Sequence, residues 1–186
     1  MQITDRVMEE VEDPMASSIR PALLSYDEIP EWYQDNVFIQ HGYRPESKST
    51  CICFASWLYF HNESINIHSH LLPAVLFLAA EGLLAGYFQA RYSDSNVVDR
   101  LVFAFYLLTA TTCLGMSATF HTLLNHSIGV SQLWLRLDFV GIIVLTIGKF
   151  VSGIYMIFYF EHILRWIYWT MARIVAYYLE SRIFES

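Results

Sequence analysis

Three runs of about twenty apolar residues follow one another in this chain, and they constrain it more than anything else in the sequence. The hydrocarbon core of a bilayer is crossed by about 20 apolar residues rising 1.5 Å each. Residues 101–120 carry no charged side chain at all. Residues 139–160 are interrupted only by Lys149 and residues 71–90 only by Glu81. Three such runs in series, parted by short polar breaks, predict membrane-crossing helices rather than the core of a soluble domain. The expected fold class is all-α: an integral membrane helical bundle with three spans. Gly141, Gly148 and Gly153 would let the third span approach a neighbour closely. None of the runs reads as a signal peptide, because the first begins only at residue 71, behind an acidic segment.

The charge sits at one end. Residues 1–70 hold 11 acids against 4 bases, whereas the remaining 116 residues balance. No basic surface exists to bind nucleic acid, and no nucleic-acid partner is expected. Cys51, Cys53 and Cys113 are odd in number and wrongly spaced for a disulfide framework or a zinc knuckle. Residues 1–35 read as a largely disordered acidic leader broken by Pro14, Pro21 and Pro30. Residues 36–70 read as a pre-membrane segment. Within it Cys51, Phe54, Trp57, Leu58 and Ile65 recur at helical spacing, which predicts one short amphipathic helix over 50–66, lying on the membrane surface. After residue 162 the chain stays apolar and aromatic but carries Arg165 and Arg173, so residues 163–179 fit either an interfacial helix or a fourth span. Lysines and arginines near the span ends divide evenly between the two faces, so charge does not set the orientation. The sequons at Asn62 and Asn125 lie against the membrane and read as chance matches.

Ionisable groups in a bilayer are functional candidates. Ser117 and His121, four residues apart, share one helix face at the last turn of the second span. Asp138 opens the third span. Consecutive spans are antiparallel, so Ser117, His121 and Asp138 can converge in one leaflet. A hydroxyl, an imidazole and a carboxylate are parts of a metal or hydrolytic site; they also describe ordinary helix capping. His126, five residues from His121, reads as a loop residue. His68 and His70 diverge on a helix, and a shared ligand role is not expected of them. His41 and His61 show no partner. Glu81 and Lys149 lie near the middle of parallel spans, and an ion pair between them is the expected way to tolerate both.

Four stretches carry a resemblance: residues 30–39 with Gly42-Tyr-Arg-Pro45, residues 61–74 (HNESINIHSHLLPA), Ser117-xxx-His121, and residues 137–142 around Asp138. Together they resemble the progestin and adipoQ receptor family, also called adiponectin receptor and haemolysin III-related, in particular its fungal branch. The likeness runs over roughly residues 30–169, so residues 71–169 read as an amino-terminal portion of the family's transmembrane domain and 170–186 as a divergent tail. The resemblance implies a multi-pass protein with its amino terminus in the cytoplasm, in a family of seven-helix receptors. It implies a zinc ion near the cytoplasmic face, with His121 a direct ligand, Asp138 acting through water and Ser117 beside them in the pocket. It further implies lipid signalling or metabolism, zinc homeostasis, a lipid or sterol ligand, and zinc-dependent, ceramidase-like hydrolysis of a lipid amide in complete members.

The chain also departs from the family. The His-xxx-His of the seventh helix has no counterpart, and His162 is the one histidine after Asp138. Closed zinc sites use three or four protein ligands. The zinc site is therefore expected to be incomplete here and hydrolysis absent. The alternative is a non-catalytic membrane fragment that associates with a full-length relative among the membrane lipids.

Overall fold

A computed structural model describes residues 21–91 and 96–184. It is mostly helical. A small ribbon pairs β1 (Leu24–Ser25) antiparallel to β2 (His41–Tyr43). A short helix α1 (Thr50–Ala55) follows, and then four long ones: α2 (Ser64–Arg91), α3 (Val97–Leu123), α4 (Ile128–Ile157) and α5 (His162–Phe184). Three segments are long and apolar enough to cross a membrane: Ser64–Phe88, Val97–Leu123 and Ile128–Ile157. At 1.5 Å per residue even the shortest is about 37 Å long, more than the roughly 30 Å of hydrocarbon. The first span starts at Ser64, well before the apolar run at 71, because helical propagation needs hydrogen bonds rather than oil. His61 and Ser64 build that start. The ring Nδ1 of His61 accepts from the Glu63 amide at 3.1 Å, and the Ser64 hydroxyl accepts from the His61 amide at 2.9 Å.

α3 is the central helix and packs along both α2 and α4. The α3–α4 seam is close because of small residues. A Cβ added at Gly148 would overlap the Thr109 side chain, and one at Gly141 would come within 3.1 Å of the Cys113 Cα. Polar bonds close the far end of the seam. Ser152 donates to the Val102 carbonyl at 3.1 Å, and Asp99 accepts from the Tyr155 and Tyr159 hydroxyls at 2.5 and 3.0 Å. Gly153 meets nothing within 4 Å and takes no part.

Because α3 stands between α2 and α4, the expected Glu81–Lys149 ion pair does not form. Among the described residues the ion pairs are Glu46–Lys48 and Glu63–His121. Glu81 instead lines a cleft of about 300 Å³ between α2 and α3, with Arg100, Phe88 and Phe103 in its walls. α5 is not among the membrane-length apolar segments of the described residues. The guanidinium of Arg165 lies 4.9 Å from the ring centre of Tyr155 and 5.7 Å from that of Trp169, which places this cation on aromatic faces.

The pre-membrane chain differs from the expectation in two ways. Residues 1–20 lie outside the described residues, but 21–35 are folded. Two 3-10 turns, Tyr26–Glu28 and Glu31–Tyr33, bring Ile29 and Tyr33 into a buried cluster with Tyr43 and Leu124. The Tyr33 and Tyr43 rings meet edge to face at 5.6 Å. A high acid count had masked these spaced apolar and aromatic residues. The second difference is that 50–66 is not one helix. α1 tightens into a 3-10 turn at Ser56–Leu58, the chain breaks, and Ile65 already belongs to α2. Gly42, at φ +91°, takes the left-handed conformation that lets β2 turn under the start of α2, where its carbonyl accepts from the Asn62 amide at 2.9 Å.

Candidate functional site

A buried arginine of the cap formed by residues 24–63 is bonded to the end of α3. Arg44 is 0% exposed. Its Nη1 donates to the Ser56 hydroxyl at 2.8 Å and to the Thr122 carbonyl at 2.9 Å, and its Nη2 donates to the His121 carbonyl at 2.7 Å. The last carbonyls of a helix lack intrahelical donors and carry the negative end of its dipole, so a buried guanidinium is well matched to them. Trp57 donates from its indole to the Thr122 hydroxyl at 2.8 Å. Asn125, in the α3–α4 loop, donates to the Pro45 carbonyl at 2.8 Å and receives the Ser47 amide at 3.0 Å. Asn125 is thereby buried, with its side chain turned into the contact with the cap.

His121 is thus held by its backbone, and its ring is held too. Nδ1 lies 2.8 Å from Oε2 of Glu63, a residue 3% exposed. Asn66 donates to the same oxygen at 2.9 Å, and Asn62 donates to Oε1 at 2.8 Å. Burial alone would raise the Glu63 carboxyl. The hydrogen bonds from His121 and Asn66, with the positive charge of Arg44, outweigh it and hold the group below the usual carboxylate range. Asp35 lies in the same field. Burial first, and then the Glu63 charge, push its carboxyl up. His61, next to this cluster, is driven from 6.5 down to about 3, chiefly by burial and then by the Arg44 charge.

Ser117 and His121 do share one face of α3, and that face meets α2. The Ser117 hydroxyl is 2.6 Å from Nδ1 of His70, and the His70 and His121 rings stand edge to face at 5.7 Å. Asp138, half-buried on α4, is near enough to interact electrostatically with His70 and with Cys113. The expected residues are therefore joined by two that sequence reasoning missed, His70 and Glu63. His68 points elsewhere: its Nδ1 bonds the Ser64 carbonyl at 2.7 Å, and the residue lines an apolar groove with Trp57, Phe60 and Leu72. His126 lies in the α3–α4 loop and its ring bonds Ser127 at 3.1 Å. A signal for His70 was present in the spacing of Asn66 and His70, four apart on one side of α2, with Glu63 three residues before Asn66 at the helix start.

A buried carboxylate, two facing imidazoles, a hydroxyl and a second carboxylate nearby can relay protons or hold a polar headgroup. Among the described residues no group of three or more His, Cys, Asp or Glu side chains is arranged to hold a metal ion.

Comparison with known proteins gives the following. The model of the family described as haemolysin-III related matches residues 58–179. That match continues ten residues beyond 169, where the motif likeness gives out. The chain is 41% identical over 139 residues to progestin and adipoQ receptor-like protein 1 of Caenorhabditis elegans, covering 74% of this chain and 31% of that one. It is 39% identical over 140 residues to an ADIPOR-like receptor of Saccharomyces cerevisiae, covering 75% and 44% respectively. To the adiponectin receptor protein of Drosophila melanogaster it is 36% identical over 152 residues, covering 81% and 33%. The likeness is thus shared by animal and fungal relatives, and the chain spans 31–44% of the length of these three.

Proposed function

The chain belongs to the haemolysin-III-related family of adiponectin receptor-like membrane proteins, and from that membership we propose that it supplies one side of a zinc-dependent, lipid-processing site. In this reading His121 is the direct metal ligand, Asp138 acts through water and Ser117 lines the pocket. The substrate is a lipid amide or sterol-like ligand entering from the bilayer, and the site faces the cytoplasm together with the amino terminus. The observation that carries the reading is the convergence of Ser117, His121 and His70 where α2 and α3 meet, with Asp138 in electrostatic range.

The donors in these residues do not fit a closed zinc site by themselves. His121 and Asp138 offer one imidazole and one carboxylate, whereas zinc takes three or four protein ligands. His121 already gives one ring nitrogen to Glu63. The chain on its own is therefore read as non-catalytic, and a longer relative as the source of the other donors. The outward apolar face of α2, with Leu72, Leu76 and Leu83 exposed, supplies the surface for such an association within the membrane.

The test is co-expression with a full-length family member, followed by purification and zinc analysis. The chain should co-purify with the relative, hold less than one zinc when alone, and turn over no ceramide alone. Stoichiometric zinc in the isolated chain that disappears in His121→Ala would replace this reading with an independent site. Failure to co-purify would remove the association.

A further inference from the structure

We propose that Glu63 is a positioning residue for His121: it keeps the proton of that ring on Nδ1 and turns the Nε2 lone pair away from the cap. The inference deepens the reading of His121 as a site residue and rests on it.

Donors and acceptors around Glu63 decide where the proton sits. Asn62 and Asn66 each give an amide hydrogen to Glu63, one to each oxygen. A carboxyl group receiving hydrogens on both oxygens is an acceptor. Its partner at 2.8 Å, His121 Nδ1, must then be the donor. With Nδ1 protonated, the neutral ring carries its lone pair on Nε2, across the imidazole from Glu63. Such carboxylate–histidine pairs fix both the tautomer and the plane of a working imidazole. Arg44 completes the clamp by binding the carbonyl of the same residue. Backbone and ring of His121 are thereby both set from outside the spans, by two residues 19 positions apart that each lie more than fifty positions before His121 in the sequence. His70, edge to face with His121, has no comparable carboxylate hydrogen bond among the described residues; its Nδ1 meets Ser117.

The experiment is nitrogen-15 spectroscopy of histidine side chains in the full chain, labelled and reconstituted in lipid bilayers near pH 7.5, with the His121 signals assigned by difference from His121→Ala. Wild type should show a protonated, pyrrole-like Nδ1 at His121. Glu63→Gln, which keeps an acceptor oxygen and the size of the side chain, should preserve that signal. Glu63→Leu should move the proton to Nε2. An unprotonated Nδ1 in wild type overturns the proposal, whatever the variants do. So does an Nδ1 signal unchanged in a folded Glu63→Leu. The measurement needs neither zinc nor a lipid substrate, so a chain that binds no metal can still pass it, and a chain that binds zinc can still fail it.

Discussion

Arg44 is the residue on which the cap depends. Its three hydrogen bonds satisfy the buried Ser56 hydroxyl and the carbonyls of His121 and Thr122. Arg44→Met should cost on the order of 3 kcal/mol, read as a lowered midpoint of thermal unfolding in detergent. Arg44→Lys should recover little, since the single nitrogen of an ammonium cannot stand where both Nη1 and Nη2 of the planar guanidinium stand. His61 gives a pH dependence. Its folded value near 3 lies below its unfolded value of 6.5, so the fold accepts the neutral ring. Between those values the unfolded chain binds more protons, and stability falls as pH drops from 6.5 towards 3. Arg44 and His68 disfavour the charged ring and Glu63 favours it. Unfolding at pH 5 should be easier than at pH 7 by about 1–2 kcal/mol. His61→Asn, which keeps a side-chain acceptor for the Glu63 amide, should flatten that difference. At this scale the sequence was only partly legible. Ser117 and His121 could be paired because they lie on one helix. His70 and its sequence neighbour His68 diverge on the helix, and the partner of His70 lies on another helix 47 positions on.

Among the elements, the α3–α4 seam is governed by glycine. Gly148→Ala should push Thr109 and loosen the helix pair by about 1–3 kcal/mol, whereas Gly153→Ala should leave it unchanged or slightly firmer. Thermal aggregation midpoints of the two variants, taken side by side, decide the point. The spans themselves were readable because twenty apolar residues have few other solutions. Their starts were not, since polar residues such as Asn66 and His70 belong to helical turns that precede the oil. The Glu81–Lys149 pairing failed for a related reason. Depth in the bilayer can be counted along a sequence, but which helix stands between two others cannot.

For the whole molecule, the central claim is that the cap-proximal ends of α2 and α3 meet in a polar cluster while the mid-span charges of α2 and α4 stay apart. The family motifs pointed to that end of the membrane domain. The folded cap over it was hidden by an acidic composition that obscured Ile29, Tyr33 and Tyr43. In a cysteine-free background, His70→Cys with Ser117→Cys and, separately, Glu81→Cys with Lys149→Cys can be treated in native membranes with a short bifunctional thiol reagent. The account predicts rapid bridging of the first pair and none of the second. Equal rates, or bridging of the second pair alone, would contradict it.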